Sequence, residues 1–317
     1  MHTSILNVYY RFLKPIIPRK LQISLRRLIA KRKKTRVGGI WPIDERAGKK
    51  PEKWKGWHDS KKFAFVLTHD VERAGGLEKC LSLMEIEKEY GFRSSFNFVP
   101  EDYTVTPELR EKLKDEGFEV GVHGLNHKGN IFGDRVLFDR QAAQINKYLK
   151  EWGAVGFRAP SMFHNLEWIK NLDIEYDSST FDTDPFEPQP DGVGTIFPFS
   201  VNGNHIRPGY VELPYTLPQD FLLFIILRQK NIDIWKRKLD WIAKQGGMAL
   251  FSVHPDYIYF KGARSSFEEY PMDYYKEILG YVKSIYEGQY WHALPSDIAK
   301  FYREFVSQNV QQRNIII

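Results

Sequence analysis

Two histidines, His123 and His127, are the pair with the clearest chemical potential in this chain of 317 residues. They are four positions apart and come directly after the apolar segment 118–122. If a helical turn begins where that segment ends, both imidazoles lie on one face of the turn. Imidazoles are common ligands of transition metals, so the pair predicts a metal site; polar surface or capping is the alternative.

A pair of carboxylates follows a buried strand. Phe63–Leu67 is uninterrupted and apolar, as expected for a strand covered on both faces, and Asp70 and Glu72 come shortly after it. Barrel enzymes keep catalytic groups at the carboxyl ends of such strands. The alternative is that both acids cap the helix that follows.

Two further polar groups stand next to prolines. Arg158, two residues before Pro160, is suited to orient a carboxylate through two parallel hydrogen bonds. His254 ends the apolar run 248–253, and Pro255 stops the regular strand there. A histidine in that place suits a general acid or base, because its ordinary pKa lies near neutrality. The alternative for each residue is a structural role.

In this order the motifs resemble those of the polysaccharide deacetylases, the NodB-homology carbohydrate esterases. The resemblance covers residues 61–300. The family motifs Thr-Phe-Asp-Asp, His-Ser/Thr-x-x-His, Arg-x-Pro, an acidic segment and a strand ending in histidine correspond here to Thr68-His-Asp-Val-Glu72, His123-Gly-Leu-Asn-His127, Arg158-Ala-Pro160, Tyr176–Thr180 and Phe251–His254.

The resemblance implies an α/β fold, the distorted (β/α) barrel of the polysaccharide deacetylase type. It also implies hydrolysis of the N-acetyl group of an N-acetylated carbohydrate with a divalent metal, usually Zn²⁺. Under it, His123 and His127 are metal ligands, and the family's aspartate ligand falls on Val71. Glu72 then takes the ligand position. The alternative is that Asp70 is the ligand and that the base is missing or is His69.

The resemblance also assigns catalytic roles. Asp70 matches the base that deprotonates water, Arg158 holds it, and His254 matches the acid that protonates the leaving amine. The carboxylate predicted to keep His254 protonated is Asp177, with Asp182 as the rival. The backbone N–H of Ser161 is predicted to stabilise the oxyanion.

Aromatic side chains in predicted loops are candidates for stacking on sugar rings. Phe163 and Tyr215 are the two that we assign to substrate binding, together with Ser161. Further candidates are Trp168, Phe181 and Phe186, and for all of them packing in the core is the alternative. The loop 181–209 is long enough to cover a substrate.

The net charge of +6 is unevenly distributed. Residues 1–50 contain 14 lysines and arginines against two acids, whereas residues 51–317 contain 32 basic and 38 acidic residues. The main domain is therefore mildly acidic, which argues against nucleic acid as a partner. With Cys80 as the one cysteine, an internal disulfide and a thiolate-rich zinc site are both excluded.

The basic excess lies in an amphipathic segment. Leu21, Leu25, Leu28 and Ile29 recur at helical spacing after Pro18, with arginines and lysines largely off that face. This pattern predicts peripheral membrane contact through residues 9–36, or else a helix packed on the bottom of the barrel. There is neither a secretory signal nor an apolar run of membrane-spanning length, which predicts a cytoplasmic protein on the inner face of the membrane.

The sequence thus predicts four parts: a basic extension 1–36, a connector 37–60, the barrel 61–305 and a frayed tail 306–317. The predicted function is removal of N-acetyl groups from a sugar or glycan in cell-envelope polysaccharide biosynthesis. The alternatives are a catalytically impaired sugar-binding barrel and an amidohydrolase for a small non-sugar amide. The sugar and the oligomeric state are not determined by the sequence.

Overall fold

The strand β1, Phe63–Val71, is buried at every position and is paired with three other strands. The structure is a computed structural model that describes residues 17–203, 209–260 and 266–314. Residues 9–16 of the predicted membrane-contact segment and residues 315–317 of the predicted tail lie outside the described residues.

Strands and helices alternate along most of the chain. The remaining strands are β2 (Ser95–Phe98), β3 (Glu119–His123), β4 (Gly156–Arg158), β5 (Tyr176–Asp177), β6 (Phe199–Val201), β7 (Tyr210–Glu212), β8 (Met248–Val253), β9 (Ile258–Tyr259), β10 (Tyr270–Pro271) and β11 (Tyr290–His292). The helices are α1 (Arg19–Val37), α2 (Ala74–Leu77), α3 (Cys80–Tyr90), α4 (Pro107–Asp115), α5 (Arg135–Trp152), α6 (Leu166–Ile169), α7 (Asp233–Gln245), α8 (Met272–Tyr286) and α9 (Pro295–Asn314).

The main sheet is almost entirely parallel. Its order is β11-β1-β2-β3-β4-β5-β7-β6, with β8 also paired to β1, and the β6–β7 pair is antiparallel. The sheet curls back on itself, because Thr216 and Leu217, which follow β7, both donate backbone hydrogen bonds to Leu250 in β8. The predicted distorted barrel is confirmed, with helices around the curled sheet.

Two local predictions were wrong. The backbone after β3 forms a turn rather than a helical turn, so His123 and His127 do not share a helix face. The helix α9 continues through Asn314, beyond the boundary expected at residue 305. The connector packs on the barrel, as its tryptophans predict: Trp57 is buried, and its indole N–H donates to the carbonyl of Gly246.

Two carboxyl groups meet inside the sheet, where Asp177 of β5 is in register with Glu212 of β7. Both are fully buried. Glu212 Oε1 accepts hydrogen bonds from the backbone N–H and hydroxyl of Thr180, whereas Oε2 is buried and accepts none from an N–H or O–H group of the described residues. Burial, followed by the neighbouring Asp177, raises the pKa of Glu212 well above its ordinary value. A proton shared by the two carboxyl groups accounts for this arrangement.

We expect Glu212→Gln to be more stable than the wild type at pH 8, by about 1 kcal/mol or more. When the pKa of a carboxyl group is higher in the folded protein, the protonated group stabilises the native state at pH values below its ordinary pKa. That stabilisation is lost as the pH rises through the folded-state pKa. The amide keeps the acceptor for Thr180 without titrating. Urea unfolding at pH 5 and pH 8 measures the difference, with the exposed Glu167→Gln as the control. A wild type that is the more stable protein at pH 8 would contradict this prediction.

Candidate active site

Strand alternation decides which groups of β1 face the barrel interior. Thr68 and Asp70 point inward, and His69 points to the opposite face, since successive side chains alternate across a sheet. The ring of His69 is fully buried and contacts Val253 O at 3.1 Å and Glu87 Oε1 at 2.7 Å. His69 is therefore a structural residue, and the alternative that it serves as the base is wrong.

Asp70 is a buried carboxylate with fixed hydrogen bonds. Its Oδ1 accepts from Arg158 Nη1 and from Asn97 Nδ2, both at 3.0 Å, and its Oδ2 accepts from Ser252 at 3.3 Å. Burial alone raises the pKa of Asp70, but the charge of Arg158, with smaller contributions from neighbouring histidines, holds that pKa below its ordinary value. The group is thus ionised at neutral pH and able to accept a proton.

Arg158 is completely buried and uses its planar donors on several neighbours. Its Nη1 donates to Thr68, Asp70 and Ser252, while Nε and Nη2 donate to the backbone and hydroxyl of Ser178 at 2.7 Å. The guanidinium therefore holds Asp70 in one orientation and ties β1 to β8 and to the end of β5.

We expect Arg158→Met to lower the free energy of unfolding by about 3–5 kcal/mol, because Asp70 remains buried without its cation. The double variant Arg158→Met/Asp70→Asn removes both charges and should recover a large part of that loss. Urea unfolding of the two variants and the wild type is the measurement. If the double variant is no more stable than the single one, the Asp70 charge is not the cause of the loss.

The two histidines come together through a glycine turn. His123 is the last residue of β3, and Gly124 has a φ of +67°, in the left-handed region. A Cβ on Gly124 would lie 2.6 Å from the ring of Pro160, so this position requires glycine for space as well as for conformation. The turn brings the imidazole centroids of His123 and His127 to 5.3 Å.

Each of the two histidines has one ring nitrogen that could bind a metal ion. The Nδ1 atom of His123 is 3.0 Å from the carbonyl oxygen of Arg158, which fixes this nitrogen as the donor and leaves Nε2 as an acceptor. Burial lowers the pKa of His123 to about 4, so the ring is neutral. His127 Nε2 is buried, 3.2 Å from Glu72 Oε1, without a well-directed hydrogen bond.

Glu72, just beyond β1, is held in place at both its backbone and its side chain. Its backbone N–H donates to Asp256 at 2.8 Å, and Tyr257 donates to its Oε2 at 2.5 Å. Burial raises the pKa of Glu72, but the neighbouring His127 more than offsets this and holds it well below its ordinary value. Neither Asp70 nor Glu72 caps a helix, because the N-cap of α2 is Arg73 without a side-chain cap bond.

The side chains of Glu72, His123 and His127 fit a divalent metal in their chemistry. A carboxylate and two imidazoles are ligands of zinc, and the His127 nitrogen without a hydrogen bond lies beside the carboxylate oxygen. Within the described ranges no group of three potential ligands is already in metal-binding geometry. These three side chains are therefore the candidate ligands of a metal ion.

His254, directly after β8, is oriented by Asp220. Its Nδ1 is 2.6 Å from Asp220 Oδ1, and its backbone N–H donates to Oδ2 at 2.8 Å. Burial lowers the pKa of His254, but Asp220 more than offsets this, and the pKa rises to about 10. The other ring nitrogen, Nε2, is 3.9 Å from Asp70 Oδ2 and 4.0 Å from Glu72 Oε1. A charged donor thus stands next to the Asp70 acceptor.

The predicted partners of His254 were wrong. Asp177 accepts hydrogen bonds from Ser179 and lies next to Glu212. Asp182 forms a buried ion pair with Lys238 at 2.5 Å. Both acids are therefore committed to contacts within the fold and not to His254.

The predicted substrate-binding residues fall in different environments. Ser161 lines the cleft and has a φ of +58°, a strained conformation of the kind that functional sites retain. Tyr215 is fully buried and donates to Glu187 at 2.7 Å, so it cannot stack on a sugar. Phe163 is not among the residues that line the cleft, and of the other aromatic candidates only Phe186 is.

The candidate catalytic side chains open into a cavity of about 1330 Å³. Asp70, Glu72, His123, His127 and His254 line its inner end, and residues of α1 line the outer part. Ligand pockets for small molecules are usually about 300–1,000 Å³, so the space is large enough for an extended substrate.

Sequence reasoning missed three residues of this site. Asp220 stands before an apolar segment, where an aspartate typically caps a helix, and its side chain does accept from the N–H of Phe221. Asn97 was recognisable as a polar residue within the apolar strand β2. Tyr257 lies three residues after His254, a spacing with no distinctive signal.

No family model and no curated protein matches the chain. It is similar to a solved structure described as a polysaccharide deacetylase from Mycobacterium smegmatis, with a TM-score of 0.57 and 19% identity over 78% of this chain and 93% of that chain. A second, described as a polysaccharide deacetylase from Pseudomonas aeruginosa PAO1, has a TM-score of 0.60 and 15% identity over 78% and 93% of the two chains.

The Puue allantoinase is also similar, with a TM-score of 0.61 and 14% identity over 83% of this chain and 98% of that chain. These likenesses agree on the architecture. The chain has the distorted barrel fold of the polysaccharide deacetylases, as its sequence motifs predict.

Proposed function

We propose that this protein is a metal-dependent hydrolase that removes N-acetyl groups from an N-acetylated sugar or glycan. The observation that carries the proposal is the meeting of a proton acceptor and a proton donor beside a potential metal site. Asp70, held by Arg158, lies 3.9 Å from His254, held by Asp220. Glu72, His123 and His127 surround the same end of the cleft.

The residues divide the work of amide hydrolysis between them. A divalent metal, Zn²⁺ by the chemistry of the ligands, would be held by Glu72, His123 and His127 and, when bound, would acidify water and polarise the acetyl carbonyl. The Asp70 carboxylate takes a proton from the water as its oxygen attacks the carbonyl carbon. The backbone N–H of Ser161 donates to the oxyanion that develops. His254 Nε2 then gives its proton to the leaving nitrogen as the C–N bond breaks, so acetate and a free amine are formed.

Two alternatives remain as competing proposals. An impaired sugar-binding barrel is disfavoured by the full set of donor and acceptor side chains, despite Val71 at the family's ligand position. A hydrolase for a small non-sugar amide is favoured by the similarity to an allantoinase. The size of the cavity argues for the larger substrate.

We further propose that the protein acts in cell-envelope polysaccharide synthesis, on the inner face of the cytoplasmic membrane. The basic residues and exposed apolar side chains of α1 support peripheral contact. The structure has no helix, within the residues described, that is long and apolar enough to cross a membrane.

Acetate release from N-acetylglucosamine oligomers, by purified protein supplied with Zn²⁺, tests the proposal. We expect release that a chelator abolishes and added metal restores. Allantoin and simple acetamides, assayed in parallel, separate the sugar from the small-amide alternative. Sugar binding without hydrolysis at any metal concentration would contradict the proposal and favour the binding barrel.

A further inference from the structure

The helix α1 lies at the mouth of the cleft and not on the bottom of the barrel. Ile23 is fully buried, and Arg27 Nε donates to the carbonyl of Ile225 at 3.0 Å. Arg19 forms an ion pair with Glu268, which also accepts from Arg73 beside the proposed metal ligand Glu72. These contacts fasten the helix across the entrance and correct the alternative that placed it below the barrel.

The cleft changes in character from its inner end to its outer part. The inner end has the charged and imidazole groups of the proposed reaction. The outer part is lined by Leu25 and Ile29 of α1 and by Leu222 and Ile226 of the π-helical segment Phe221–Ile226. An uncharged polysaccharide does not need an aliphatic wall of this kind, whereas a hydrocarbon chain does.

Cations line the same outer part. Arg26 and Lys33 of α1 line it, and Lys128 lines the cavity next to His127, nearer the inner end. The guanidinium of Arg26 lies over the ring of Phe221, 4.9 Å from its centroid. In the described part of the chain, no carboxylate forms an ion pair with any of these three cations. Glu187 is the acid that faces Arg26 and Lys33, so one carboxyl group stands against two of these cations.

The aliphatic wall continues outward onto an exposed surface. Leu21, Leu25, Leu28 and Ile29 are 50%, 43%, 48% and 62% exposed, and two of them also line the cavity. The helix packs through Gln22, Ile23 and Ala30 instead, so its apolar stripe remains uncovered. An apolar chain leaving the cleft would therefore cross apolar surface all the way to the outside.

From these features we propose that the substrate is an anionic amphiphile, an N-acetylated sugar joined through a phosphate to a long apolar chain. This inference rests on the proposed deacetylation. The acetamide lies at Asp70 and His254, the phosphate contacts Arg26 and Lys33, and the chain follows Leu25 and Ile29 toward the exposed stripe. The helix α1 is thus a wall of the substrate site as well as the surface that meets the lipid phase.

Four substrates with the same sugar separate the contribution of the phosphate from that of the apolar chain. They are the methyl glycoside, the decyl glycoside, the methyl phosphodiester and the decyl phosphodiester of N-acetylglucosamine, all assayed in one neutral detergent. We expect kcat/KM for the decyl phosphodiester to exceed that of the decyl glycoside and of the methyl phosphodiester by about tenfold each. Burying two or three methylenes, or forming two charge contacts, supplies a factor of that order.

Paired variants assign each factor to its residues. Arg26→Gln/Lys33→Gln should bring the phosphate-dependent ratio close to 1, whereas Lys31→Gln/Lys34→Gln, on the same helix but outside the cavity lining, should leave it unchanged. Leu25→Ser/Ile29→Ser should bring the chain-dependent ratio close to 1. The control, Leu81→Ser/Ile285→Ser, changes exposed apolar positions elsewhere and should leave that ratio unchanged.

The outcomes are distinguishable. Equal kcat/KM for all four substrates, with acetate still released, would overturn the amphiphile and leave the deacetylase standing. A phosphate effect without a chain effect would overturn the lipid and indicate a free sugar phosphate. Acetate release from none of the four, nor from N-acetylglucosamine oligomers, would mean that the proposed function itself has failed.

Discussion

Glu72→Ala should lose its bound metal and release acetate at least about 10³-fold more slowly than the wild type, because a metal supplies several kcal/mol of transition-state stabilisation. Glu72 Oε1 lies 3.2 Å from His127 Nε2, and the Tyr257 hydroxyl and the Asp256 carboxylate hold the residue in place. Within the described residues, no other carboxylate lies within ion-pair distance of His127 Nε2. The measurements are metal content after dialysis, by mass spectrometry, and the rate of acetate release.

Two companions sharpen the Glu72 experiment. Glu187→Gln removes another carboxyl group that lines the same cavity and should retain the metal. Glu72→Asp restores the residue type of the family motif with a side chain one methylene shorter, and we expect intermediate metal affinity. Metal retained by Glu72→Ala would move the ligand role to Asp70. No metal in the wild type, after incubation with zinc, would contradict the metal-dependent mechanism.

Asp220→Asn should lower kcat by about 10²-fold or more, with little change in metal content or KM. The carboxylate accepts from the Nδ1 and from the backbone N–H of His254, and it raises the pKa of that ring. With asparagine at position 220, the ring of His254 loses its charged partner and becomes neutral. Its one proton then stays on Nδ1, so Nε2 has no proton to give to the leaving nitrogen. Steady-state kinetics with the metal-loaded proteins measures the effect.

The control for Asp220 is the acid that the sequence motif favoured. Asp177→Asn changes a buried carboxyl group that does not contact His254, so kcat should stay close to that of the wild type in the folded protein. In a His254→Gln background, Asp220→Asn should cause little further loss of kcat, because Asp220 acts only by keeping a proton on His254. A large loss for Asp177→Asn and none for Asp220→Asn would reverse the assignment.

Much of the site was predictable because its residues interrupt apolar strands. Asp70, His123, Arg158 and His254 each stand at or just beyond the carboxyl end of a buried strand. Parallel strands bring those ends to one edge of the sheet, so side chains far apart along the chain must meet there. The resemblance of these motifs to those of a known family predicted the barrel.

The partner of His254 was decided by tertiary packing. Asp220 is 34 residues away from the histidine and comes from a segment between a short strand and a helix. Its local pattern indicates only a cap, and nothing in the sequence fixes how the π-helical segment lies against the end of β8. Asp177, the local candidate, was excluded because it is bonded to Ser179 and lies next to Glu212.

The sequence by itself determined the amphipathic and basic character of α1 and the set of polar groups at the strand ends. Only the tertiary structure decided that α1 lies over the mouth of the barrel, with its apolar stripe exposed and Ile23 buried. Periodicity records which residues share a helix face, since that follows from 3.6 residues per turn. It does not record which face finds a partner, because that depends on shape and charge complementarity with residues more than 180 positions away, such as Ile225 and Glu268.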